Sequence, residues 1–151
     1  MDIARDTVHR MIFTGLYSHT IDRKNRLFLP AKICRGKKKF IVTPGLDGCL
    51  YLYPIDIWEK LTQKLEALSL ANKSEERAFK RAFLSGAVEI EVDSFGRILI
   101  PQKLKKDVAI YRRTVIAGVG NRLEIWSEER WRRYYRKSKN ILKRITAKLE
   151  I

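Results

Sequence analysis

The residues best suited to chemistry are two arginines, Arg26 and Arg97, each four places after an aspartate. They lie in a nine-residue stretch that occurs twice. It reads Asp22-Arg23-Lys24-Asn25-Arg26-Leu27-Phe28-Leu29-Pro30, then Asp93-Ser94-Phe95-Gly96-Arg97-Ile98-Leu99-Ile100-Pro101, with the copies 71 residues apart. Gly15 and Gly86 precede their aspartates by the same distance. A guanidinium in such a place has two uses. It can pair with the carboxylate and staple a turn, Asp22 with Arg26 and Asp93 with Arg97. It can also grip a phosphate or a guanine edge, and a carboxylate can orient an arginine that does so. Arg23 and Lys24 join Arg26 to give the first turn three positive charges in four residues. The second turn has one, and its Phe95 reads as packing. A nucleic-acid site biased toward the first copy is expected.

Other chemistry is sparse. Only His9 and His19 are present, and neither shares a nucleophile motif with a serine or cysteine. Gly118-Val119-Gly120 lacks the third glycine and the lysine of a phosphate loop, and reads as a hairpin turn. Glu89, Glu91 and Asp93 alternate along one strand face and could hold a hard cation, but a solvated face beside basic neighbours is the better reading. Cys34 and Cys49 have neither zinc-finger nor CxxC spacing and read as small buried hydrophobes. No metal, cofactor or small-molecule substrate is expected, and no enzyme.

The turns need elements around them. Asn25 and Gly96 stand just before the arginines, and both residue types tolerate positive φ. A strand can therefore end at the aspartate, reverse, and re-enter a strand at the arginine. Asp22, Asn25, Asp93 and Gly96 are thus the turn-stabilising set, while Pro30 and Pro101 end the ladder and open short helices at 30–35 and 104–108. Strands follow at 40–43 and 49–53, and again at 115–117 and 123–126. Pro54 suits the first position of an amphipathic helix to about Leu70, and Ser74 can cap the next one. Ser127 caps a last helix that opens on Glu128 and Glu129. Leu123, Ile125, Trp126 and Trp131 match Leu50, Leu52, Tyr53 and Trp58 at an offset of 73, so the repeat spans a whole unit. The expected divisions are a flexible leader at 1–11, a first unit at 12–58, connecting helices at 59–85, a second unit at 86–130 and a basic helical tail at 131–151. In that tail Ile141, Leu142, Ile145 and Leu149 form an apolar stripe that a neighbouring subunit or the body would cover.

The chain has 151 residues, 45% of them hydrophobic, enough for one shared core. Its net charge is +15. Residues 131–151 carry eight basic and one acidic residue, or 7 of that excess. A polyanion partner follows, with nucleic acid ahead of an anionic membrane surface. No apolar run reaches the ~20 residues of a membrane span, and the first ten residues do not form a secretory signal.

With these marks assembled, the sequence closely resembles the MraZ family, bacterial transcriptional regulators of the division and cell wall gene cluster. The likeness runs from about Phe13 to Trp131. It is carried by the doubled Asp-x-x-x-Arg motif, by Gly45-Leu46-Asp47-Gly48-Cys49-Leu50-Tyr51-Leu52-Tyr53-Pro54, and by Asn121-Arg122-Leu123-Glu124-Ile125-Trp126-Ser127. The resemblance implies an α+β, β-rich fold: two tandem AbrB-like (SpoVT-AbrB-type) swapped-hairpin units sharing one pseudo-twofold, β-barrel-like core with flanking helices. It also implies a ring-shaped homo-oligomer that binds repeated boxes in double-stranded promoter DNA, including its own promoter. Residence would be cytoplasmic and nucleoid-associated, with Lys24, Arg26 and Arg97 at the DNA, to which the charge of the first turn adds Arg23. Asn25 departs from the family's usual turn glycine. Two rival readings remain at this point: a general nucleoid- or RNA-binding protein using the tail, and a carboxylate-metal hydrolase built on Glu89, Glu91 and Asp93.

Overall fold

A computed structural model describes residues 12–34 and 36–151; the leader at 1–11, with His9, lies outside them. The order of elements is β1 (Leu16–Thr20), β2 (Arg26–Phe28), α1 (Ala31–Cys34), β3 (Lys39–Pro44), β4 (Leu50–Pro54), α2 (Ile55–Glu66) and α3 (Lys73–Ser85). The pattern then restarts with β5 (Val88–Glu91), β6 (Arg97–Leu99), α4 (Gln102–Asp107), β7 (Arg113–Gly118), β8 (Leu123–Ser127) and α5 (Glu128–Leu149).

Six strands form one antiparallel sheet in the order β1-β7-β8-β4-β3-β5, and β2 pairs with β6 in a separate two-stranded ribbon. Exchanging the equivalent strands (β1 for β5, β3 for β7, β4 for β8) turns the sheet order into its own reverse. A pseudo-twofold axis therefore passes between β4 and β8, where Tyr51 faces its equivalent Glu124. It also passes between β2 and β6, where Leu27 faces its equivalent Ile98. The first strand of each unit pairs with the third strand of the other, β1 with β7 and β5 with β3. Each turn thus redirects its chain but does not join two partners: after Arg26 the strand leaves β1 and ladders with β6.

The barrel-like expectation needs one correction. The sheet stays open, with β1 and β5 as its edges, because the β2/β6 ribbon lies across the core face instead of bridging them. That core holds Phe40, Val42, Leu50, Leu52, Ile116, Leu123 and Ile125 from the sheet, against Leu27, Leu29, Ile98 and Ile100 from the ribbon arms. Ile33 of α1 and Leu104 of α4 complete it. On the opposite face Cys49, Tyr51, Tyr53, Val115 and Trp126 are covered by α2 and α5 through Ile57, Trp58 and Trp131. Burial pushes the Cys49 thiol up to about 12, whereas Cys34 is only half-buried.

Three local expectations shift. Asn72, not Ser74, caps α3, its side chain accepting the Glu75 N–H at 3.1 Å. Pro54 closes β4 and stands before the helix instead of inside it. The helix it precedes ends at Glu66, the Ala67 N–H bonding back to the carbonyls of Gln63 and Leu65. Gly15, at φ +98°, forms a kink that separates a Phe13–Gly120 bridge from β1. Ser127 does cap the last helix, accepting from Arg130 N–H at 3.1 Å. The stripe of Ile141, Leu142, Ile145 and Leu149 is exposed and uncovered by the described body.

Candidate nucleic-acid interface

The two turns are built alike, bond for bond. Asp22 N–H donates to the Arg26 carbonyl and Asn25 N–H to the Asp22 carbonyl; Asp93, Arg97 and Gly96 repeat this arrangement. Asp22 Oδ1 accepts the backbone N–H groups of Lys24 and Arg26, each at 2.9 Å. Asp93 Oδ1 does the same for Phe95 and Arg97, again at 2.9 Å. The remaining oxygens, Asp22 Oδ2 and Asp93 Oδ2, accept Nε–H of Arg26 and Arg97, each at 2.8 Å. One short carboxylate thus closes the turn and aims the arginine, as the spacing of four requires. Asn25 and Gly96 take left-handed backbone, at φ +62° and +84°.

What the arginines keep free matters more. Each commits Nε to its aspartate, and among the described residues neither terminal pair of N–H groups has a protein partner. An outward fork of this kind suits bidentate contact with phosphate or a guanine edge. Alternation along the ribbon turns Leu27 and Ile98 inward, so Arg26, Phe28, Arg97 and Leu99 share the outer face. Arg26 lies opposite Leu99 and Arg97 opposite Phe28, diagonal neighbours roughly 7–8 Å apart. Arg23 and Lys24 are exposed at the rim of the first turn. A two-stranded ribbon carrying cations on one face has the width of a DNA major groove.

Phe95 departs from its expected role in packing. It is 72% exposed, and the Arg97 guanidinium lies 4.8 Å over its ring and 5.8 Å from that of Phe28. The aromatics hold Arg97 in place of the additional charges present in the first turn.

Two features of the site were not read from the sequence. Asn25 does more than tolerate its φ: Nδ2 donates to Gln102 Oε1 at 2.7 Å, and Oδ1 accepts from Lys105 Nζ at 2.9 Å. The first turn is thereby docked on α4 of the other unit. Each turn is also flanked by the basic loop of the opposite unit. Ile21 N–H donates to the Arg112 carbonyl at 2.8 Å, and Val92 N–H to that of Lys38 at 2.7 Å. The signal was available, since Lys38-Lys39 and Arg112-Arg113 precede matched strands.

The carboxylate triad does not assemble. Asp93 turns into its own loop, Glu91 lies 3.7 Å from Lys39, and among the described residues no group of three or more potential ligands could hold a metal.

Both turn carboxylates are depressed below the usual aspartate value. For Asp22 the backbone bond from Arg26 is the chief cause, with its guanidinium and the Lys24 N–H adding to it. For Asp93 desolvation pushes upward, and the bonds from Arg97 and Phe95 outweigh it. Depressed folded values mean that ionisation favours the fold at neutral pH. That contribution is lost as pH falls through the folded values, below about 4. Thermal melts at pH 7 and pH 3 should show a smaller acid loss for the Asp22→Asn/Asp93→Asn variant than for the native chain. Equal losses would place the acid sensitivity elsewhere.

The doubling of the chain has a counterpart among known proteins. The family model described as MraZ protein matches residues 12–82 and again 83–149. The chain belongs to the MraZ family. It is 45% identical over 139 residues to the protein of Heliobacterium modesticaldum named Transcriptional regulator MraZ, covering 91% of this chain and 96% of that one. It is 51% identical over 124 residues to the protein of the same name in Clostridium beijerinckii, covering 82% and 87%. MraZ proteins are named as transcriptional regulators and not as enzymes, and the hydrolase reading falls with that. Among the described residues no helix is long and apolar enough to cross a membrane.

Proposed function

We propose that this chain is a sequence-specific DNA-binding transcriptional regulator. In this reading it binds repeated boxes upstream of its own gene, within the division and cell wall cluster, as a ring-shaped homo-oligomer in the cytoplasm, at the nucleoid. The observation that carries DNA binding is the pair of outward guanidinium forks, each held at Nε by its own aspartate on a narrow ribbon. Arg23 and Lys24 supply phosphate contacts beside Arg26, while Arg97 is the principal cation of the second turn. Asp22, Asn25, Asp93 and Gly96 hold the geometry. The uncovered stripe on α5 supports self-association, since a helix with one apolar face is stabilised by a partner.

Several subunits on one duplex would multiply modest single-site affinity through linkage. Phosphate contacts would make binding steeply salt-dependent, and the ribbon arginines would supply base selectivity. Fluorescence anisotropy with the chain's own upstream DNA, against scrambled DNA of equal length, tests the reading. The expected result is a preference of about 10³-fold or more at physiological salt. Equal affinity for both would favour a general nucleoid- or RNA-binding protein.

A further inference from the structure

The densest gathering of arginines lies beside the ribbon and not on it. A concavity of about 610 Å³ opens between the start of β7 and the first turns of α5, lined by Arg112, Arg113, Arg132, Arg133, Arg136 and Tyr111. Two acids, Glu128 and Glu129, share the lining. Glu128 is taken by Arg132 at 2.5 Å. The other four arginines have no carboxylate within 4.0 Å among the described residues. Guanidiniums crowded around one hollow repel each other unless an anion enters it. Tyr111 stands at the rim, 78% exposed.

The pseudo-twofold axis supplies an internal control. The equivalent hollow in the first unit is lined by Lys37, Lys38, Lys39, Ile55, Asp56 and Glu59. There Lys37 is paired with Asp56 at 2.9 Å, and Lys39 lies 3.7 Å from Glu91. The fold makes both hollows, yet among the described residues the first leaves one cation, Lys38, without a carboxylate partner and the second leaves four. The repeated architecture alone does not account for that asymmetry.

We propose that this concavity binds phosphate groups of the duplex backbone flanking the bases gripped by the first turn, without reading sequence. The assignment rests on the DNA-binding reading above. Its occupant is argued from continuity. Arg113 lies opposite Thr20 in the β1/β7 ladder, and the Arg112 carbonyl holds Ile21, the residue before Asp22. A backbone leaving the cluster of Arg23, Lys24 and Arg26 therefore meets Arg112 and Arg113 next, then Arg133 and Arg136 on α5. Free polyphosphates present the same chemistry and are the other possible source.

The test compares the native chain with the Arg112→Ala/Arg113→Ala/Arg133→Ala/Arg136→Ala variant and with Arg133→Ala/Arg136→Ala alone. Coincident thermal melts establish that the folds are kept. Anisotropy is measured on upstream and scrambled DNA over a range of salt concentrations. Affinity for both DNAs should fall by the same factor. The slope of log K against log salt should become shallower by between about two and four for the fourfold variant, close to one per lost contact. An unchanged slope overturns the proposal. Calorimetry with inorganic tripolyphosphate forms the second arm. An unchanged slope, with tripolyphosphate bound by the native chain and not by the variant, would assign the hollow to free polyphosphate and overturn the backbone assignment. If the native chain does not prefer its upstream DNA, sequence-specific regulation fails, while a shallower slope in the variant still upholds the backbone contact.

Discussion

Arg26→Ala should abolish the shift of promoter DNA while leaving the fold and the assembly intact. The reason lies in how the turn divides its bonds. Asp22 Oδ1 holds the Lys24 and Arg26 backbone N–H groups, and neither bond involves the guanidinium. Asn25 remains docked on Gln102 and Lys105. Removing the side chain therefore costs the turn one exposed ion pair, worth less than about 1 kcal/mol. On the proposed function the same change removes a bidentate donor, worth about 1–3 kcal/mol of base discrimination, or roughly 5- to 150-fold. If several subunits engage one promoter, these losses multiply. Gel shift and size-exclusion profiles, run together, check the result. Normal DNA binding by the variant would make Arg26 purely structural, and an unfolded variant would make it a staple first. Asp22→Ala should behave differently, because it removes both backbone bonds and the guide for the arginine, loosening the turn as well as the contact.

The largest loss of stability is expected from Leu27→Ala or Ile98→Ala. These residues face each other across the pseudo-twofold axis, and each is 0% exposed. They pin the ribbon to the six-stranded sheet, and the backbone around them is tied on both sides, so the gap cannot collapse easily. A cost of about 2–5 kcal/mol follows. For a chain of this size that is a fall in melting temperature of roughly 5–20 °C. Ile98→Val, which removes one methylene, should cost about 0.5–1.5 kcal/mol. Thermal and urea melts of the three variants provide the comparison. Near-native stability of both alanine variants would mean that the ribbon is held from its ends, by the turns. The alanine changes should also weaken DNA binding, since Arg26 and Arg97 neighbour these residues in the strands.

Much of the site was legible because its determinants are local. An aspartate four places before an arginine, with Asn25 or Gly96 between, specifies a turn through short-range bonds, and the structure contains each of them. The duplication was legible for the same reason, since it is written in residue types at fixed offsets. Strand partnership was not local. Nothing within residues 16–28 says that β1 will choose β7 and β2 will choose β6, because that choice is made by burial across the whole chain. The open sheet escaped notice on the same grounds. Phe95 misled because an aromatic in a turn usually packs, and its service to Arg97 depends on Phe28 in the other unit. The cross-unit flanking of each turn required the swap to be known first.

The exchange of outer strands has a consequence for how such a chain could arise and how it can fail. Half of it, cut near residue 85, would carry β1 and β3 with no strand of its own to complete them. Such a half would have to find a twin, and its integrity would then depend on concentration. Fusing two halves through α2 and α3 makes that encounter intramolecular and permanent, at the high effective concentration of a short tether. It also frees the halves to diverge, so that one can gather charge at its turn while the other trades charge for aromatic rings. Because the first strand of each half pairs only with the other half, damage at one end should be felt as cooperative loss of both turns.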